Sequence, residues 1–224
     1  MTPGTAQTTP SDQPRPLRQD AERNRRRILT AAREVFSDRG LSVTLDEIAR
    51  HAGVGVGTVY RRFPGKEALI DALFEEKVSS LLSLSEKALA NPDPWEGFVD
   101  LFTAASEQMV RDRGLREVML FSTYGRDRVA RLRQRLLPIA TQLVSRARDA
   151  GQLRPDVAPT DIPLLELMLG AAGQYTYQVQ PDLWHRYLDI LLDGLRARPE
   201  GNSQLSQPPL DAAQLEAVMR STAG

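Results

Sequence analysis

Residues 42–66 of this chain read SVTLDEIARHAGVGVGTVYRRFPGK. Thr44 followed by Glu47 makes a capping box, in which each residue's side chain accepts a backbone N–H from the other, and this pattern predicts the start of a helix. Ala52 and Gly53 follow: alanine permits a close helix crossing, and glycine adopts the left-handed conformation that turns a chain sharply. The stretch therefore predicts two short helices joined by a tight turn, the arrangement of a helix-turn-helix.

The second short helix is predicted to have two different faces. Val59 and Phe63 lie four residues apart, on a face that we expect to be buried. The opposite face is dense in hydrogen-bond donors and free of acids, and its residues are Val56, Gly57, Thr58, Tyr60, Arg61 and Arg62. Such a face is typical of a helix that enters the major groove of DNA.

The side chains of that face predict different contacts. We expect Val56 and Thr58 to meet base edges or thymine methyl groups. Arg61 or Arg62 would reach a guanine. Phosphate contacts are predicted for Thr44, Tyr60 and Lys66. Lys66 also begins the next helix, whose free N–H groups favour an anion.

Charge is distributed unevenly along the chain. Residues 15–66 hold 12 Lys and Arg against 6 Asp and Glu, whereas the remainder holds 17 against 23. A net charge of zero therefore conceals a basic head and an acidic body, and a basic head favours contact with a polyanion. Arg27, in an arginine-rich first helix, can be interpreted equally well as a phosphate contact or as part of a solvated face.

The rest of the chain predicts helices and no strand, so the expected fold class is all-α. About nine helices are expected, three in a helix-turn-helix domain over residues 18–66 and the others in a bundle over residues 67–198. Residues 1–17 are rich in Thr, Pro, Gln and Ser and predict a disordered arm. Residues 199–224 predict a flexible tail, with room for a short helix over residues 210–219.

Composition argues against several classes of function. The chain has no Cys, and its two histidines, His51 and His185, are far apart in sequence. We find no catalytic triad, carboxylate pair or metal-ligand spacing, so we expect no enzyme, no metal and no cofactor. Without an apolar leader or a stretch long enough to cross a bilayer, the chain is expected to be cytoplasmic and free of membrane segments.

The motifs together resemble the signature of the TetR family of bacterial regulators. The matching residues are Thr44-Leu-Asp-Glu-Ile-Ala, Ala52-Gly-Val, Gly57-Thr-Val-Tyr, Phe63 and Lys66. The resemblance implies an all-α homodimer with a DNA-binding head and an effector-binding bundle, acting as a repressor that a small molecule releases from a palindromic operator. It also implies phosphate contacts from Thr44, Tyr60 and Lys66, and groove contacts around residues 56–58 and Arg61.

Gly55 departs from the family pattern. Many members carry Ser here, as the N-cap of the recognition helix. Glycine is a tolerable cap but has no side-chain hydroxyl, so no phosphate contact is expected from this position.

Aromatic and methionine side chains in the bundle either fill a core or line a ligand cavity. The candidates for a cavity lining are Phe98, Phe102, Met119, Tyr124, Met168, Gln174 and Tyr175. An apolar effector with one or two hydrogen-bonding groups would suit them. A second interpretation stays open: a helical small-molecule-binding protein whose head docks a protein partner instead of DNA.

Residues 161–197 predict a dimer interface. The helix over residues 162–177 is apolar on nearly all sides, and such a helix must be buried on all sides. Gly170-Ala-Ala-Gly173 would allow a close helix approach. Together with the face of the last helix that carries Leu188, Ile190, Leu191 and Leu195, it would form a four-helix interface across a two-fold axis. The alternative is that both helices lie inside a monomer.

Overall fold

The computed structural model describes residues 15–120 and 126–221. Ten α-helices and one 3-10 turn account for nearly all regular structure in these residues, which contain no strand beyond a single isolated bridge. The all-α prediction is confirmed. Most of the predicted arm, residues 1–14, lies outside the described residues.

The head consists of three helices and a short turn that pack on one core. They are α1 (Arg15–Arg39), the 3-10 turn Gly40–Ser42, α2 (Leu45–Ala52) and α3 (Val56–Arg62). Ile28 and Phe36 from α1 meet Ile48 from α2 and Val59 from α3 in this core. The early part of the next helix joins the same core through Leu69, so the head and the body are continuous.

Seven further helices form the body. They are α4 (Lys66–Ala90), α5 (Pro94–Arg111), α6 (Arg113–Leu120), α7 (Arg126–Asp149), α8 (Ile162–Thr176), α9 (Trp184–Leu195) and α10 (Ala212–Ser221). A second core, built around Phe102 of α5, Leu169 of α8 and the fully buried Trp184 of α9, holds the bundle together. None of the described helices combines the length and the apolar character needed to cross a membrane.

The segment that follows α9 is anchored to the bundle. Arg154 donates from Nη2 to the Ser203 carbonyl at 2.7 Å, and Thr160 donates from Oγ1 to the Leu210 carbonyl at 2.7 Å. These bonds hold the segment that leads to α10 against the bundle, and Leu215 and Met219 of α10 are buried. The sequence predicted a flexible tail over residues 199–224; in the structure, two residues of its described part, residues 199–221, are bonded to residues about 50 positions away in sequence.

The faces of α8 and α9 differ from the predicted dimer interface. A Cβ on Gly173 would lie 2.5 Å from Cγ1 of Val110, so the small residues of α8 serve a close approach to α5 within the chain. Leu188 and Leu195 are likewise buried in the chain's own core. Other apolar side chains are left exposed on these helices, namely Met168, Tyr175, Tyr187 and Ile190.

The turn between α2 and α3 gives a direct test of the fold. Gly53 has φ +63°, and its N–H bonds to the carbonyls at the end of α2. Gly53→Ala is expected to lower the free energy of unfolding by about 1 kcal/mol, because an L residue is strained in this conformation. Urea denaturation at fixed protein concentration measures the change.

Gly57→Ala is the matched control. Gly57 lies inside α3 with no atom within 4 Å of an added Cβ. Alanine there should stabilise the protein by up to about 1 kcal/mol, because alanine has the higher helix propensity. Equal effects of the two substitutions would contradict the assignment of the left-handed turn.

Candidate nucleic-acid interface

The recognition helix α3 is held by its inner face. Val59 is 0% exposed and Phe63 is also buried, so both side chains anchor the helix in the head core. Gly55 is the N-cap, and no side chain caps this end of α3. The helix is therefore positioned by packing rather than by its own capping bonds.

The outer face of α3 presents the predicted groove residues to solvent. Val56 is 41% exposed and Tyr60 is 49% exposed. Arg61 lies back along the helix, with Nε donating to the Gly57 carbonyl at 3.2 Å and Nη2 donating to Thr58 Oγ1 at 3.3 Å. These residues form one surface, apolar at its start and cationic at its end.

Arg62 lies at the edge of that surface. Its Nη2 is 3.9 Å from Oε2 of Glu22, a loose pair between two exposed groups. Such a pair is weak in water, so it leaves the guanidinium available to a phosphate or a base.

Thr44 begins α2 through the predicted capping box. Its Oγ1 accepts the N–H of Glu47 at 3.3 Å, and Oε2 of Glu47 accepts the N–H of Thr44 at 2.9 Å. The bond from the Thr44 backbone, followed by one from Arg39, lowers the pKa of Glu47 to about 2. The ionised box fixes the angle at which α2 leaves the 3-10 turn.

Arg27 has a role that neither sequence interpretation included. Its Nη2 donates to the carbonyls of Ala52 at 2.9 Å and Gly53 at 3.1 Å. A guanidinium at the carbonyl end of a helix is favourable, because it satisfies oxygens that have no partner within the helix. Arg27 therefore clamps the turn that sets the direction of α3.

Lys66 joins the head to the body. Its Nζ donates to the Leu41 carbonyl, while the N–H of Leu41 donates to Oε2 of Glu117 on α6 at 2.6 Å. Partial burial lowers the pKa of Lys66. An ammonium has three donors, so two remain for a phosphate. The carbonyl and N–H of Leu41 thus connect Lys66, which is predicted to contact a DNA phosphate, to α6.

The body contains an apolar cavity of about 480 Å³. Its walls come from α4, α5, α7, α8 and α10, and a volume of this size suits a small molecule. Phe98 and Phe102 line it, as the sequence predicted.

The other predicted lining residues are not on this cavity. Met168 is 59% exposed and Tyr175 is 88% exposed, and Gln174 is exposed beside them. Only one face of α8 turns inwards, so the structure does not bring these three residues to the cavity. The Met119 side chain and Tyr124 lie outside the described residues.

The sequence reasoning missed Glu166 and the α10 residues Leu215 and Met219 as lining residues. A carboxyl in the middle of the apolar run 162–173 was a usable signal for the first. The contribution of α10 had no such signal, because it depends on how the tail is anchored.

Comparison with known proteins places the chain in a family. Residues 28–73 match the bacterial regulatory proteins of the tetR family, and residues 93–197 match the C-terminal domain of SbtR-like transcriptional regulators. The transcriptional regulator UidR of Escherichia coli K12 is 33% identical over 168 residues, which are 69% of this chain and 82% of that protein. The chain belongs to the TetR family.

Solved structures of TetR-family proteins agree with this assignment. A TetR regulator from Mycobacterium vanbaalenii is 33% identical, with a TM-score of 0.58 over 81% of this chain and 100% of the other. A TetR regulator from Streptomyces coelicolor is 32% identical, with a TM-score of 0.55 over 77% of this chain and 98% of the other. This TetR-family protein is therefore a DNA-binding transcriptional regulator.

Lys66 offers a test of the predicted phosphate contacts. Lys66→Met keeps most of the apolar stem and removes the charge, so we expect weaker binding to every DNA sequence. The slope of log affinity against log salt should become shallower by roughly 1, because one fewer counterion is released. Fluorescence anisotropy in a salt series measures the slope. An unchanged slope would show that Lys66 makes no phosphate contact and only bonds to the Leu41 carbonyl.

Proposed function

We propose that this regulator is a repressor that binds a palindromic operator as a homodimer and is released by a small molecule held in the body. The observation that carries the proposal is the outer face of α3, exposed and without acids, in a chain whose body also holds a partly open apolar cavity. The first feature provides DNA recognition, and the second provides a site for an effector.

The contacts with DNA divide by chemistry. Val56 and Thr58 stand near the start of α3 and meet base edges or thymine methyl groups. Arg61 or Arg62 reaches a guanine, and Tyr60 donates its hydroxyl to a phosphate. Because Arg27 is engaged with the turn, its contribution is to hold α3 in place.

The homodimer forms through the exposed apolar side chains of α8 and α9. Met168 and Tyr175 on α8 and Ile190 on α9 leave an apolar face open to solvent. Covering this face with a second copy removes it from water, and a two-fold axis makes the same patch meet itself. Two recognition helices would then enter successive major grooves about 34–36 Å apart.

Release by the effector follows from the course of α4. This helix begins at Lys66 in the head and contributes Leu81 and Ser85 to the cavity wall. Ser85 lies 19 residues after Lys66, which corresponds to about 28 Å along the helix at 1.5 Å per residue. A ligand that displaces the cavity end of α4 therefore shifts the head and changes the separation of the two recognition helices.

The test uses the full chain and the DNA upstream of its own gene. In an anisotropy assay, the double variant Tyr60→Ala, Arg61→Ala should bind at least about 30-fold more weakly, because two contacts worth roughly 1–3 kcal/mol each are removed. Arg198→Ala removes an exposed arginine elsewhere and should change affinity less than twofold.

Two results would contradict the proposal. Failure of the unmodified protein to bind any inverted repeat in that DNA would favour a head that docks a protein. Equal losses in the double variant and in Arg198→Ala would show that α3 is not the reading surface.

A further inference from the structure

The cavity wall carries a carboxyl group with no visible partner. Glu166 projects from α8 among apolar lining residues such as Phe102 and Ile162. Among the residues that the structure describes, none forms a hydrogen bond or an ion pair with it. A polar group that is partly withdrawn from water and has no partner is costly, and such a group in a cavity wall indicates where a ligand binds.

The polar side chains of the cavity lining indicate which charge a ligand of this cavity would carry. The polar side chains of the described lining are Ser85, Gln134, Glu166 and Glu216, so no Lys, Arg or His is among them. Ser85 is already engaged, because its hydroxyl donates to the Leu81 carbonyl at 2.7 Å. Both charged side chains of the described lining are carboxyls, and negative charge in the wall disfavours an anionic ligand.

The protonation of Glu166 agrees with this environment. Burial raises the pKa of the Glu166 carboxyl to about 8, so the group is mostly protonated at neutral pH. The apolar wall has already withdrawn this half-buried carboxyl from part of its water. A cation that enters the cavity therefore forms a charge-assisted hydrogen bond with less further desolvation than at an exposed carboxyl.

We propose that the cavity binds an apolar molecule that carries one protonated amine, and that Glu166 accepts the hydrogen bond from that amine. The apolar lining binds the hydrocarbon part of the ligand, and the carboxylate selects its charge. The role of such an amine as effector rests on the function proposed above, whereas its binding to the cavity does not.

Binding should release a proton. Glu166 is mainly protonated in the free protein and ionised when paired with an ammonium, so about one proton leaves per ligand at pH 7. Glu216 on α10 is the other titratable group of the described lining. It is therefore the control for the position of the charge.

The experiment compares three ligands that share a ten-carbon chain, decylamine, decanol and decanoate, with the two ionic ligands below their micelle concentrations and decanol below its solubility limit. Isothermal titration calorimetry of the full protein in phosphate and in Tris at pH 7 gives both the affinity and the number of protons released. We expect decylamine to bind at least tenfold more tightly than decanol, with proton release, and decanoate to bind more weakly than either.

The variants locate the effect. Glu166→Gln keeps the shape of the side chain and should remove both the preference for decylamine and the proton release, while decanol affinity changes less than twofold. Glu216→Gln should keep the preference for decylamine. Thermal unfolding of each variant checks that the fold is retained.

Several outcomes would overturn the proposal: no binding of decylamine, equal binding of the three ligands, tighter binding of decanoate, or a preference that Glu166→Gln leaves intact. Operator binding by the ligand-free protein is measured separately. If the protein does not bind its operator but retains the preference for decylamine, the proposed function fails and the ligand class stands. If operator binding is normal and the preference for decylamine is absent, the proposed function stands and the proposed ligand class fails.

Discussion

The outer face of α3, the surface that we propose reads DNA, depends on the burial of the other side of this very short helix. α3 has seven residues, and isolated helices of this length are unstable in water because nucleation costs more than so few hydrogen bonds return. Val59 and Phe63 supply the missing stability by packing in the head core. The outer face keeps its direction only while that packing and the Gly53 turn hold.

The head and the cavity are parts of one continuous structure. α4 takes part in the head core at its start and in the cavity wall further along, and the carbonyl and N–H of Leu41 join Lys66 to Glu117 of α6. On the far side of the body, α10 completes the cavity with residues that lie beyond both matched family segments. The cavity of this chain therefore includes a wall that those segments do not contain.

Local patterns allowed the head to be predicted from the sequence. The capping box at Thr44, the left-handed Gly53 and the spacing of Val59 and Phe63 depend on residues close together in the chain, and each is present. The clamp from Arg27 to the turn was not predictable, because it joins groups 25 and 26 residues apart. Periodicity also failed for α8, since an apolar helix does not reveal which of its faces meets its own chain and which is left exposed.

The central claim is that the outer face of α3 meets DNA, and photo-crosslinking tests it most directly. A benzophenone amino acid replaces Tyr60 in one variant and Leu205 of the anchored C-terminal segment in another, both exposed in the free protein. The account predicts crosslinks to operator DNA from position 60 and none from position 205. Crosslinks from position 205 alone, or none from position 60 under conditions where the variant still binds the operator, would contradict it.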